Sequence, residues 1–297
     1  MQSDHGNVLR IGRHTSLRLS RRTQPGTPLA IATLSWARVK GDDGRLTHRA
    51  LKPSDFVETL KTVCQANANG LDLILCAGRT LTRRPRAADL AHATRSVAVL
   101  FEVSTGNQPH AWIVSTPKGL IKLRSGQVVS RYDQKDEQRR LAGMIAERTG
   151  VIEFQGVSSK FVLLICGENN CLSNDHRSVL RNAAASTGAR LRTLLNDWIV
   201  LNPSHKPYWP QIKSAGFVKI GKDRLGAGPT LERLVKQKRI YQDGSHAPAA
   251  VIHCNNYDLE RPATRHSASV CFGACTRGRK LSSNTGEWHM RTYLLKL

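Results

Sequence analysis

Strands and helices alternate along this sequence to its end, which predicts the α/β class. Apolar, β-rich runs recur at Leu29–Trp36 (LAIATLSW), Leu71–Cys76 (LDLILC) and Phe161–Cys166 (FVLLIC). Helical spacing falls between such runs, first at Phe56, Leu60, Val63, Cys64 and Ala68, which share one face. Breakers then stop the elements, among them Gly70, Gly150 and Gly167.

Taken in order, Leu29–Trp36 reads as the first strand. Pro53, Ser54 and Asp55 offer a cap for the first helix, with Glu58 three residues after Asp55. Gly70 ends that helix and Leu71–Cys76 returns as a short buried strand, followed by a short helix at Ala87–Thr94. Ser96–Val103 and His110–Ser115 read as strands around the GNQPH turn, and Leu120–Leu123 pairs with Gln127–Arg131 through Ser125 and Gly126. Helical spacing at Asp136–Arg148 precedes two strands, Val151–Gln155 and Lys160–Cys166. A helix over Arg177–Asn196, a strand at Trp198–Asn202, a Pro-rich loop to Pro229 and a helix at Leu231–Tyr241 follow. The strand Ala250–Cys254 and a terminal pair near Ala268–Phe272 and Met290–Leu295 complete the chain. With no repeat and no composition break, residues 29–297 read as one domain behind a basic N-terminal extension, or an edge strand, over residues 1–28.

The chain has 297 residues, and 45 Lys and Arg against 22 Asp and Glu give a formal charge of +23. The length permits a large core and the composition excludes a disordered tail or a mini-protein. No run approaches the ~20 apolar residues of a bilayer-spanning helix, and the first residues lack the apolar stretch of a secretory signal. Basic residues fall in clusters along the whole length rather than in one stripe, and aromatics make up only 5%. That pattern permits polyanion binding but argues against single-strand recognition by stacking. Seven scattered cysteines favour reduced thiols and a cytoplasmic location.

The segment Lys160–Leu172, KFVLLICGENNCL, is the most informative for chemistry. A buried strand ending in Cys166, with Gly167 and Glu168 next, sets a thiol at a sharp strand exit. Freed backbone N–H groups there suit an oxyanion, whereas a structural cysteine at a strand end is the plainer alternative.

The wider layout resembles the nitrilase, or carbon–nitrogen hydrolase, superfamily from Leu29 to Tyr293. IATLSW resembles its first strand, LDLILCAGRTL the segment that bears its general base, and SGQVVSRYDQK its lysine region. FVLLICGE resembles the nucleophile strand, DWIVLNPSH the next strand with its Asn-Pro-Ser end, and AVIHCNN a strand ending in Asn near the site. The resemblance implies a nitrilase-like αββα sandwich that hydrolyses amides or nitriles through a thioester, without cofactor or metal, and associates as a homo-oligomer. By position it assigns Cys166 as nucleophile, Gly167 as the oxyanion N–H, and Lys135 as the stabilising ammonium. Glu147 or Glu137 takes the place of the family's second glutamate, and Glu168 stands two after the cysteine. Asn202 and Asn255 fall in the site's surroundings. Apart from the resemblance, Arg79 and His205 are candidates at the substrate and His205 and His253 at the pocket rim, with a satisfied structural residue as the plainer alternative for each histidine.

One departure matters. Where the family carries Pro-Glu, this chain reads Cys76-Ala77-Gly78-Arg79. Positioned acid–base catalysis is worth ~10²–10⁴-fold. Three readings follow: a binding protein with a degraded site, a thiol activated by Arg79 and Lys135, or a carboxylate supplied from elsewhere, with Glu137, Glu147 and Glu168 as candidates. Nucleic-acid binding through the basic surface is the further alternative. Two motifs carry less. GFVKIGKD over Gly216–Asp223 has Asp223 where a phosphate loop needs Ser or Thr, and the pairs Cys166/Cys171 and Cys271/Cys275 lie in different strand contexts, with no matching histidine spacing at His176 and His253 for zinc.

Overall fold

The structure, a computed structural model, describes residues 8–11, 15–19, 26–40, 46–47, 51–67, 70–78, 81, 83–95, 97–103, 111–116, 119–123, 148–165, 198–204, 249–258, 269–273 and 275–297. The chain begins with β1 (Val8–Ile11), β2 (Thr15–Arg18), β3 (Leu29–Lys40) and β4 (Leu46–Thr47), followed by α1 (Pro53–Ala66) and β5 (Leu73–Cys76). Next come α2 (Ala87–Thr94), β6 (Ala98–Val103), β7 (Ala111–Thr116), β8 (Gly119–Leu123), β9 (Thr149–Phe154) and β10 (Val157–Leu163). The remainder is β11 (Ile199–Pro203), β12 (Ala250–Cys254), β13 (Tyr257–Asp258), β14 (Ser269–Gly273), β15 (Cys275–Ser282) and β16 (Trp288–Leu295).

These strands form two sheets of a mixed α/β fold. One runs β14-β12-β11-β10-β9-β1-β2; the other runs β15-β16-β3-β5-β6-β7-β8, with β4 and β13 added at β3. Each has a parallel block, β10-β11-β12 in the first and β3-β5-β6 in the second. Period-two alternation sorts their side chains. Leu29 and Ile31 of β3, Leu73 and Leu75 of β5, and Ala98 and Leu100 of β6 pack between the sheets against Phe161, Leu163, Ile199, Leu201 and Ile252. The intervening residues Ala32, Leu34, Ile74, Val99 and Phe101 face the two helices. There Phe56 of α1 meets Trp36 at 5.6 Å and Phe101 at 5.3 Å between ring centroids.

The apolar face expected of the first helix is buried at Phe56, Leu60, Val63 and Cys64, while Ala68 lies outside the described residues. Its cap differs from expectation. Lys52 is the N-cap and makes no side-chain cap hydrogen bond, since an ammonium has no acceptor to offer; Pro53 removes one first-turn donor, and Ser54 Oγ donates to Asp55 Oδ1 at 3.1 Å. The C-terminus is held from far along the chain, where Arg279 Nη1 donates to Ala66 O at 2.5 Å.

The second short helix and the strand Ala250–Cys254 have the expected bounds. The N-terminal segment supplies β1 and β2, which extend the seven-stranded sheet past β9. Its neighbour hairpin β9–β10 turns through Gln155 and Gly156, both at positive φ (53° and 80°), the signature of a two-residue type I′ turn. The expected terminal pair is corrected: β14 joins β12, whereas β16 lies in the other sheet between β15 and β3. Leu120–Leu123 falls within β8, whose partner is β7; residues 127–131 lie outside the described set. The expected helices at Asp136–Arg148, Arg177–Asn196 and Leu231–Tyr241 lie outside it too, except Arg148, which is not helical. The expectation of reduced thiols fails at Cys271 and Cys275, which form a disulfide. No helix among the described residues is long and apolar enough to cross a membrane.

Candidate functional site

The carboxyl ends of the two parallel blocks meet. Parallel strands present their C-terminal ends on one side of a sheet, where open α/β folds collect ligands. Here the chain leaving β5 crosses to the other sheet: Gly78 N–H donates to Ser204 O at 3.0 Å, just beyond β11. Ser204 N–H in turn donates to Cys254 O at the end of β12, at 2.7 Å. Leu164 N–H, past β10, donates to Leu201 O at 2.9 Å, and Leu163 N–H donates to Arg148 O at 3.1 Å, just ahead of β9.

Asn256 fastens this end. It is 1% exposed; its Oδ1 accepts from Trp36 N–H at 3.0 Å and its Nδ2 donates to Gly78 O at 2.9 Å. Arg38 Nη2 donates to the same carbonyl at 3.2 Å. Arg38 and Arg148 are both buried, so positive charge is built into this end of the sandwich.

The space between the sheets changes character toward the same end. Leu29 and Ile31 give way along β3 to Thr33 and Ser35, and Leu295 and Tyr293 give way along β16 to Arg291 and His289. Tyr293 Oη and Ser269 Oγ lie 2.7 Å apart, Ser269 Oγ also meets Thr33 Oγ1, and Thr33 Oγ1 donates to Arg291 O at 3.2 Å. Burial raises the Tyr293 phenol, with the Ser269 hydrogen bond opposing it. Cys254 Sγ donates to Leu34 O at 3.3 Å and sits 3.4 Å from Ser35 Oγ.

On the opposite face of the seven-stranded sheet, Asn202 and His253 stand side by side in register. Asn202 Nδ2 donates to Leu164 O, which leaves Oδ1 to accept from His253 Nδ1 at 2.7 Å. This fixes the proton on Nδ1, and Nε2 makes no hydrogen bond. Burial pushes His253 down to about 3, against the opposing effect of its bond to Asn202, so the ring is neutral at ordinary pH.

Of the residues singled out from the sequence, Asn202, Asn255 and His253 are described, and all three are buried; His253 is held by Asn202 on the face away from the other sheet rather than at a pocket rim. Asn202 ties β10, β11 and β12 together through Leu164 O and His253, and Asn255 follows β12. Cys166, Gly167, Glu168, Lys135, Glu137, Glu147, His205 and Arg79 lie outside the described residues.

Burial governs the described free thiols. It raises Cys64 to about 11 and Cys254 to about 12, and pushes Cys76 well above its ordinary value, with the nearby Cys254 and Cys64 adding to the shift. All three are therefore protonated and inert. Two buried groups escaped the sequence reading. Asn256 was marked only by the Asn-Asn doublet after an apolar strand. Glu102 interrupts the apolar β6, is 0% exposed, and lies on the same face as Ala98 and Leu100, toward the other sheet. Among the described residues no group of three or more His, Cys, Asp or Glu is placed to hold a metal ion. No family model matches the chain, and no curated protein matches it.

Proposed function

We propose that this chain is a cysteine-dependent hydrolase of non-peptide carbon–nitrogen bonds, acting on an amide or nitrile through a thioester on a nitrilase-like αββα sandwich. One observation carries the reading. Gly78, Arg148, Ile165 and Ser204 are drawn to one end of the two sheets, and in sequence they directly adjoin Arg79, Glu147, Cys166 and His205. The cysteine chemistry supports it by elimination. Cys64, Cys76 and Cys254 are buried and protonated, Cys271 and Cys275 are joined, and of the remaining Cys166 and Cys171 the former follows the apolar run Phe161–Ile165.

In this reading Cys166 attacks the substrate carbon. Lys135 and the Gly167 N–H hold the developing negative charge, Glu147 assists proton transfer, and Glu168 supports the elbow. His205 and Arg79 face the substrate, with Asn202 and Asn255 bracing the strands behind. The chemistry needs no cofactor, and the assembly is a homo-oligomer in the cytoplasm. A second reading, a binding protein of the same fold, draws on Ala77, which fills the inter-sheet apolar cluster where a base would be expected. Polyanion binding through the +23 surface predicts a steep loss of affinity with salt in a gel shift.

The test maps alkylation of all seven cysteines at neutral pH by peptide mass spectrometry, in wild type and Lys135→Ala. Preferential labelling of Cys166, slowed in the variant, supports the hydrolase, as does ammonia release from simple amides or nitriles that Cys166→Ala abolishes. Labelling of Cys166 no faster than its neighbours overturns it in favour of binding.

A further inference from the structure

We propose that the edge of the sandwich between β14 and β15 is a binding site for a phosphate monoester, with Arg291 as its anchor. This site is separate from the cysteine-hydrolase reading and shares none of its residues. β14 and β15 are the outermost strands of their sheets, and the Cys271–Cys275 disulfide ties one to the other where Cys275 pairs with Leu295. Arg291 stands four residues from Leu295 along β16, ~13 Å from that tie at the usual rise of a strand.

Arg291 shares the inter-sheet face of β16 with Tyr293 and Leu295, whereas Met290 packs on the helix side. It is 4% exposed, its Nε makes no hydrogen bond, and no acid among the described residues pairs with it. The strands around it, β3, β12, β14, β15 and β16, carry no Asp or Glu. Glu287 is exposed ahead of β16, and Glu102 is three strands away in the order β16-β3-β5-β6, ~14 Å at the usual spacing. A buried cation is costly unless an anion meets it. The hydroxyl groups beside it are already committed: Thr33 Oγ1 donates to Arg291 O at 3.2 Å, so Ser269 Oγ donates to Thr33 Oγ1 and Tyr293 Oη to Ser269 Oγ at 2.7 Å. Recognition of an anion therefore falls to cations.

A bulge brings two more of them to this side. β15 pairs Arg277 with Tyr293 and Lys280 with Arg291, with a register shift between. Arg277 and Lys280, both exposed, thus share the inter-sheet side, while Arg279 turns to the helix layer and donates to Ala66 O at 2.5 Å. Gly278 suits the bulge, since a Cβ there would stand 3.3 Å from Thr292 Cβ and O. Burial raises the Tyr293 phenol, and the Ser269 hydrogen bond, Arg291 and Arg277 pull it back, so both guanidinium groups lie within electrostatic reach of one hydroxyl. Three positive charges with no acid among them match a phosphate monoester, at about −1.5 to −2 near neutral pH, better than a carboxylate. The Arg291 fork suits two phosphate oxygens. A nucleic-acid phosphate is a singly charged diester on a polymer too wide to reach a 4%-exposed side chain between sheets ~10 Å apart.

The test titrates the full chain with inorganic phosphate at neutral pH and fixed ionic strength, by calorimetry and by melting temperature. Acetate is the carboxylate control, and duplex DNA without terminal phosphates is the polymer control. The expected result is saturable binding of one phosphate that raises the melting temperature of wild type. Affinity should be ~10–10²-fold weaker in Arg291→Met and ~10-fold weaker in the double variant Arg277→Gln/Lys280→Gln. Arg291→Lys, which keeps the charge and loses the fork, should fall between wild type and Arg291→Met. Absence of saturable binding, equal affinity for acetate, displacement of phosphate by the duplex, or an equal loss in Arg84→Gln, an exposed position outside the site, overturns the proposal. So does unchanged affinity in Arg291→Met. Should that variant fail to fold, the exposed double variant decides by the same criterion.

Discussion

Replacing Asn256 with alanine removes two buried hydrogen bonds that close the carboxyl ends of the sheets. The loss is unequal on the two sides. Gly78 O keeps its bond from Arg38, so that carbonyl stays satisfied and its share is ~0.5–1 kcal/mol. Trp36 N–H loses the acceptor that Asn256 supplied in a strand where Trp36 is 5% exposed, and an orphaned buried donor costs ~1–3 kcal/mol. The expected destabilisation is therefore ~1.5–4 kcal/mol, a large share of a typical 5–15 kcal/mol stability. Equilibrium urea unfolding measures it as a fall in midpoint at unchanged slope. Asn256→Asp keeps an acceptor for Trp36 but sets a carboxylate against Gly78 O, so it should also destabilise. A loss below ~0.5 kcal/mol for Asn256→Ala would refute the claim that this side chain joins the sheets.

Stability should fall on acidification through His253. Its unfolded pKa is ordinary, 6.5, and its folded value is about 3, so between these the unfolded chain holds a proton that the folded chain lacks. The contribution is complete above pH 6.5 and is lost as pH falls toward 3, by up to ~1.4 kcal/mol per unit; urea midpoints at pH 7 and pH 5 should differ more in wild type than in His253→Gln. Gly156→Ala, at φ +80° in the type I′ turn, should cost ~1 kcal/mol in thermal unfolding, although its Cβ meets nothing within 4 Å. Tyr257→Phe removes the bond to Gly286 O at 2.5 Å and should cost ~1–2 kcal/mol in the same assay, since that buried carbonyl loses its donor.

The parts of the fold legible in the sequence were those with a strong local period. The buried strands β3, β5, β6, β11 and β12 are runs of apolar residues, and α1 and α2 repeat at helical spacing. Pairing between distant segments was not legible, because an antiparallel partner at β16 and one at β14 share the same alternating pattern. Only the packing of the whole chain decides between them. The strand β15, CTRGRKLS, escaped notice because its composition is that of a loop. Its Arg277, Arg279 and Lys280 are exposed on the outermost strand of the nine-stranded sheet, where charge discourages pairing with another edge. Near the candidate site the apolar run Phe161–Ile165 was readable as a pattern, but β10 starts earlier than expected, at Val157, and ends at Leu163, while Cys166 lies outside the described residues. Asn256 was not, since the second asparagine of a doublet acquires its role only once the other sheet stands opposite it.

The place of β16 has a consequence for how the molecule comes into being. Eight residue pairs, from Trp288 beside Trp36 to Leu295 beside Leu29, fill one side of β3 over Leu29–Trp36, an interior strand of the nine-stranded sheet. A ribosome that has delivered everything through Glu287 has thus made both parallel blocks while β3 still shows one long, apolar, unpaired edge. Such contacts, more than 250 residues apart in sequence, slow folding and prolong exposure to aggregation. Nascent chains stalled before Trp288 should depend on a chaperone, and the emergence of β16 should be the moment at which the two sheets become one cooperative unit.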